Sequence, residues 1–361
     1  MKIGIIGAGQ LGRMLALAGY PLGLRFVFVD GDEEAPGAQV GRIITGRFDD
    51  PDVLQALAAA VDLVTFDVEN VPQAAAAAVA ARVPFLPPPA ALGAGQDRLV
   101  EKALFASLGI PTPPYEAVDD AATLATAIGR IGLPAVLKTR RLGYDGRGQR
   151  VLREPADVAG AFESLGSVPA ILEAFVDFDR ELSLIGVRSR SGQTLFYPLA
   201  ENVHTAGILR HSRAPWPDAR LQRIAESHVT ALMDQFDYAG VLTVEFFARG
   251  AELLANEMAP RVHNSGHWTI EGATTSQFEN HIRAILDLPL GPTTPLGHAA
   301  MVNFIGRVPP LKDVLAIPGV HFHDYGKTPR PERKLGHCTV IAASAEARDA
   351  TLARVLALAC F

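Results

Sequence analysis

The stretch Lys2-Ile-Gly-Ile-Ile-Gly-Ala-Gly-Gln-Leu-Gly12 decides the class of fold. A short apolar run passes at once into a glycine turn, and residues 13–18 then read as a helix. Such a run suits a parallel strand, buried on both faces. The pattern continues outward: residues 24–29, 61–66 and 83–86 are further apolar runs separated by helical segments. Strands alternating with helices in this way give a parallel sheet with helices on its faces. Pro87, Pro88 and Pro89, then Gly93 and Gly95, interrupt the alternation and mark a boundary.

A second unit begins near Gln96. Residues 96–108 read as a helix stopped by Gly109 and Pro111. Residues 135–138, 170–175 and 181–187 read as strands, and residues 241–247 and 253–258 as a hairpin around Arg249 and Gly250. A helix is expected at 276–287, proline-rich irregular chain at 307–333, and helix after 340. At 361 residues the chain has room for two or three domains.

Composition narrows the function. Apolar residues make up 48% and charged residues 20%, as in an ordinary globular protein. Thirty-three basic against 39 acidic residues leave a net charge of −6, which disfavours a bulk electrostatic grip on nucleic acid or anionic membrane. A local basic pocket for one phosphorylated small molecule remains compatible with it. Cys338 and Cys360 are too few for a disulfide framework or a cysteine-rich zinc site. There is no apolar run of membrane-spanning length, and the first residues pass straight into a strand, so a cytoplasmic chain is expected.

Five motifs could carry chemistry. Gly7-Ala-Gly-Gln-Leu-Gly12 follows a strand, and Asp30 ends the next one. This suits either a dinucleotide site or a tight turn that merely packs helix on strand. Lys138 leads into a loop with Gly143, Gly146 and Gly148, which could cradle phosphate or could be a solvated basic loop. Glu245 and Glu257 come opposite each other if the hairpin centres near Ala251, a conflict of like charge that a Mg²⁺ ion would remove. Asn256 offers a further oxygen. Arg261, His263 and Asn264 suit a small oxyanion. Lys327, Arg330, Arg333 and Lys334 form a basic cluster that suits a phosphate monoester or a solvated surface.

In this order the motifs resemble the ATP-grasp superfamily, and within it the N5-carboxyaminoimidazole ribonucleotide synthetase family. The segments that carry the likeness are GAGQLGRM (7–14), QDRLVEK (96–102), KTRRLGYDGRGQ (138–149), YPLAENVHTAGILR (197–210), NEMAPRVHNSGHWT (256–269) and RKLGH (333–337). The resemblance implies an α/β, ATP-grasp fold with a Rossmann-like pre-ATP-grasp domain at 1–96, a central lid domain at 97–176 and a C-terminal domain at 177–361. It implies that the glycine turn faces an aminoimidazole ribonucleotide and not a dinucleotide.

Carried over by residue, it implies an ATP site of Arg98, Lys138, Gly143, Tyr144, Asp145, Gly146, Arg147, Gly148, Gln149, Glu173, Ala174, Phe175, Val176, Glu181, His204, Asn256 and Glu257. Lys138 would hold phosphate oxygens, the run 173–176 would bond the adenine edge through its backbone, and Glu181 would accept from the ribose. Glu245 and Glu257 would hold Mg²⁺, while Arg261, His263 and Asn264 would place bicarbonate, with Asp145 and His263 as candidate bases. Tyr144, Asp145 and Arg147 would line the ribonucleotide side, Lys327, Arg333 and Lys334 its phosphate, and Glu69 its neighbourhood. Asp67 stands where the family more often has glutamate and is given no role. The implied activity is carboxylation of 5-aminoimidazole ribonucleotide by bicarbonate and ATP through carboxyphosphate, by a homodimer in purine biosynthesis. Another ATP-grasp ligase, such as the formate-dependent glycinamide ribonucleotide enzyme, and a nicotinamide-dependent oxidoreductase are the competing readings.

Overall fold

The computed structural model describes residues 1–143 and 146–359, and therefore not Tyr144 or Asp145. Among these residues there are three sheets. The first is parallel, in the order Arg42–Thr45, Arg25–Asp30, Lys2–Ile6, Leu63–Phe66. Ile3, Ile5, Ile6 and Phe28 are fully buried in it, as the apolar runs require. The expected strand at 83–86 shrinks to one bridge between Val64 and Phe85, because Pro84 and Pro87 flank it and have no N–H to extend a ladder. Arg42–Thr45 is an additional edge strand, half-exposed and with no buried residue to signal it in the sequence.

The second sheet is antiparallel, in the order Tyr115–Val118, Ala170–Ala174, Ala135–Thr139, Gln149–Leu152. The glycine-rich loop is thus the tip of a hairpin in which Lys138 pairs with Gln149. Helix Ala121–Ile131 covers this sheet and starts in a capping box between Asp120 and Thr123. The helix expected at 96–108 is Arg98–Ser107, and a further short helix, Pro89–Gly95, precedes it. Asp97 caps the start of Arg98–Ser107, accepting from Leu99 N at 3.0 Å.

The third sheet has nine strands, all antiparallel. Arg180–Arg188 lies between Gly240–Arg249 and Ala200–Thr205, and Glu252–Ala259 closes one edge as the partner of Gly240–Arg249. Beyond Ala200–Thr205 come Ile208–Ala214, His298–Ile305, Lys334–Ala342 and Val320–Asp324. The expected irregular stretch 307–333 therefore contains a strand, as well as the short helix Leu311–Leu315. Lys334–Ala342 runs past residue 340 before helix Ala345–Ala359 begins.

One core joins the first and third sheets. It runs from Ile3, Leu11 and Phe28 to Trp268, Phe278 and Met301, with helix Gln10–Gly19 packed on helix Gln277–Ile285. This fixes the glycine turn of the first sheet beside the large sheet. Among the described residues no helix is long and apolar enough to cross a membrane.

Candidate active site

Two adjacent hairpin strands bring the acids together. Glu245 stands opposite Glu257 in the ladder, with a bulge between Glu245 and Phe246. Burial holds Glu245 up at about 7 against the pull of His204, with the carboxylates of Glu257 and Glu181 adding to the rise. Glu257 is held below the usual carboxylate range: burial opposes this, but Arg98 Nη1 at 2.9 Å prevails. An oxygen-rich pair in which one acid resists ionisation suits a hard divalent cation such as Mg²⁺.

Beside this pair lies a lysine relay. Lys138 Nζ is 3.0 Å from Glu173 Oε2 and 3.4 Å from Asn256 Oδ1. Lys102, fully buried, donates to the carbonyls of Ala255 (3.1 Å) and Asn256 (2.8 Å) and lies 3.6 Å from the same Glu173 oxygen. Glu173 is thus the counter-ion of two lysines and is held low despite its burial. The other Glu173 oxygen, Oε1, is sealed and unpartnered. Sequence reasoning misses Lys102 and Glu101; their one signal is the helical spacing with Arg98 inside QDRLVEK. Burial pushes Glu101 up to about 8, and it accepts from Met258 N at 2.7 Å.

The backbone expected to meet an adenine is partly spent. Strand Ala170–Ala174 ends early, Ala174 N donates to Pro114 O at 2.8 Å, and Phe175 N to Pro134 O at 3.1 Å. Two N–H donors of the run 173–176 are therefore held by backbone carbonyls. Phe175 keeps an exposed ring.

Glu181 and His204 meet, with Oε2 and Nδ1 2.8 Å apart. His263 Nε2 lies 3.5 Å from Glu245 and its Nδ1 2.9 Å from Ser265 Oγ. Burial and the Arg261 charge keep His263 neutral. Asn264 and Asn303 exchange amide hydrogen bonds at 3.0 and 2.7 Å, a partner invisible in the sequence because 39 residues separate them. Arg261 Nη2 is 3.1 Å from Glu69 Oε1, so the acid expected near the ribonucleotide touches the arginine expected at bicarbonate.

The basic loop closes the other side. Lys327 reaches Gln10 in the glycine turn and lies 5.7 Å above the Tyr325 ring. Arg147, in the glycine-rich loop, pairs with Glu332 at 2.9 Å. Gly146, with φ +77°, has no space for a side chain, since a Cβ would lie 2.4 Å from Ala206 O. The loop of the second sheet therefore reaches the third sheet and the basic segment. Arg333 donates to Thr328 O at 3.0 Å, and Lys334 opens the strand Lys334–Ala342.

The glycine turn itself holds two acids. Ala8 N donates to Asp30 Oδ2 at 2.8 Å and Gly12 N to Asp67 Oδ2 at 2.9 Å. These N–H groups are the ones a dinucleotide pyrophosphate would need. Asp67 is therefore placed after all: it is buried, and a Cβ on Gly7 (φ +94°) would stand 1.7 Å from its Oδ1.

Three family models match the chain. Residues 1–96 match the ribonucleotide synthetase preATP-grasp domain, 103–278 the ATP-grasp domain, and 299–351 the phosphoribosylaminoimidazole carboxylase C-terminal domain. The N5-carboxyaminoimidazole ribonucleotide synthase of Pseudomonas aeruginosa is 53% identical over 358 residues, covering 99% of both chains. The chain belongs to the N5-carboxyaminoimidazole ribonucleotide synthase family. The family's Escherichia coli enzyme is 38% identical, over 99% of this chain and 95% of that one. The crystal structure of the Thermus thermophilus synthetase is 53% identical, with a TM-score of 0.95 and 99% of each chain covered. A synthase of this family from Aspergillus clavatus, solved in complex with ADP and 5-aminoimidazole ribonucleotide, is 30% identical with a TM-score of 0.92, over 99% of this chain and 98% of that one.

Proposed function

We propose that the chain carboxylates 5-aminoimidazole ribonucleotide to N5-carboxyaminoimidazole ribonucleotide, using ATP and bicarbonate, in de novo purine biosynthesis. The observation that carries this reading is the convergence of the Lys138–Glu173–Lys102 relay, the opposed Glu245 and Glu257, and Arg261 with His263 on one side of the large sheet. Membership of the synthase family supplies the substrate class.

A bicarbonate oxygen attacks the γ-phosphorus, the bond from that phosphorus to the β,γ-bridging oxygen breaks, and ADP leaves. The carboxyphosphate formed passes its carbon to the substrate amine, releasing phosphate, and the amine gives up a proton. Such transfer needs positioning and charge neutralisation more than a protein nucleophile. Lys138 and Arg98 meet phosphate oxygens, Gly143 and Gly146 to Gln149 close over them, and Glu173 is the counter-ion of Lys138 and Lys102. Glu181 and His204 face the ribose, and Val176 and the exposed Phe175 the adenine. Glu245, Glu257 and Asn256 would hold Mg²⁺, which supplies neutralisation of the polyphosphate charge. Arg261, His263 and Asn264 orient bicarbonate. Arg147, Lys327, Arg333 and Lys334 hold the ribonucleotide, with Glu69 beside Arg261. Tyr144 and Asp145 are proposed for the same side, although they lie outside the described residues.

Three domains, 1–96, 97–176 and 177–361, a homodimer and a cytoplasmic location complete the proposal. The test is a coupled assay of ADP release with MgATP, omitting bicarbonate or the ribonucleotide in turn; the reading requires that both omissions abolish most turnover.

A further inference from the structure

Glu181, His204 and Glu245 offer one ligand atom each, and these three atoms lie within 4.8 Å of one another. Three adjacent strands assemble them. Glu245 pairs with Ser183, two residues from Glu181 on the same face of Arg180–Arg188, and Glu181 pairs with Asn202, two residues before His204. A bulge between Val203 and His204 bends the strand end there. His204 Nδ1 is sealed from solvent and has Glu181 Oε2 as its partner at 2.8 Å. The imidazole is therefore held against one carboxylate and lies within reach of a second.

We propose that these three side chains chelate a first-row transition-metal ion, zinc above all, when no nucleotide is bound. Imidazole with carboxylate suits zinc, whereas Mg²⁺ favours oxygen alone. Zinc-ligand bonds of about 2 Å need ligand atoms near 3–3.5 Å apart, within reach of small side-chain rotations. Lys334 faces His204 and Glu245 and opposes the ion, but two carboxylates outweigh it. Three protein ligands leave a fourth position for water. Binding itself does not rest on the carboxylase reading. Competition with ATP does, because Glu181 and His204 are there assigned to the ribose.

The test uses the full chain, stripped with EDTA, desalted and titrated calorimetrically with zinc chloride. The expected result is one zinc per chain, weakened at least roughly tenfold by His204→Gln and by Glu181→Gln but not by Glu257→Gln. X-ray absorption at the zinc edge of the unaltered protein, which does not depend on variants folding, should show one imidazole among oxygen ligands. No stoichiometric zinc, binding that survives both substitutions, or a spectrum with no imidazole or several overturns the site. ADP without Mg²⁺ should release the zinc. Retention beside a one-imidazole spectrum would refute the nucleotide placement and leave the zinc site standing.

Discussion

Glu245 stands opposite Glu257, and one bulge puts it there. Nearer the turn the hairpin pairs Arg249 with Glu252 and Phe246 with Ala255, a register that would set Glu245 against Asn256. The bulge moves the partner on by one residue, so two acids face each other and Asn256 is left beside Lys138. Such a bulge next to functional side chains is a common device for re-aiming them.

Glu257→Gln therefore removes half of the cation pair and the partner of Arg98. Turnover with MgATP should fall about a hundredfold or more, while circular dichroism stays that of the parent. Near-normal turnover would end the metal role of this pair.

Lys334→Ala should raise KM for the ribonucleotide about tenfold with a smaller effect on kcat, since a single charge-assisted phosphate contact contributes on the order of 1.5–3 kcal/mol. Steady-state kinetics with the ribonucleotide varied is the check. An unchanged KM would return the basic loop to a solvated surface.

Lys102→Met keeps the volume but leaves Glu173 with one lysine partner and removes the ammonium donor to the carbonyls of Ala255 and Asn256. Breaking a buried pair costs about 3–5 kcal/mol. The melting temperature should drop clearly, by roughly 5–15 °C. Glu332→Ala, which breaks the exposed pair with Arg147, should move it by less than about 2 °C.

Burial pushes Asp67 up to about 6, against the opposing pull of Gly12 N–H. In the unfolded chain it titrates near 4. The folded state thus binds the proton more tightly. That contribution is complete below about pH 4 and is lost as pH rises through 6. Asp67→Asn is free of this dependence, so its stability relative to the parent should grow by about 2 kcal/mol between pH 4.5 and 7.5. Urea melts at the two pH values measure it; a constant difference would contradict the buried, proton-binding carboxyl.

Much of the fold can be read in the residues because local pattern and burial coincide. The runs around Ile3, Phe28 and Val64 are apolar because both faces are covered, and the hairpin around Gly250 alternates visibly. Arg42–Thr45, Ala200–Thr205 and Val320–Asp324 escape because polar or exposed residues interrupt their alternation. A hairpin centred near Ala251 would oppose Glu245 and Glu257, but the ladder nearer the turn centres between Gly250 and Ala251, and the bulge that restores the opposition leaves no mark in the sequence. Lys102 under Glu173, and Asn303 against Asn264, are pairings across distant segments that periodicity does not encode. Asp67 gives no sign of a role through its residue type, yet its carboxylate occupies the glycine turn.

The most direct measurement is ADP release by the purified chain with MgATP, with and without bicarbonate and 5-aminoimidazole ribonucleotide. The account predicts release strongly stimulated by the two together, with N5-carboxyaminoimidazole ribonucleotide formed in step with ADP. ATP binding without stimulation by that ribonucleotide would contradict the carboxylase reading and point to another acid and amine on the same ATP-grasp scaffold.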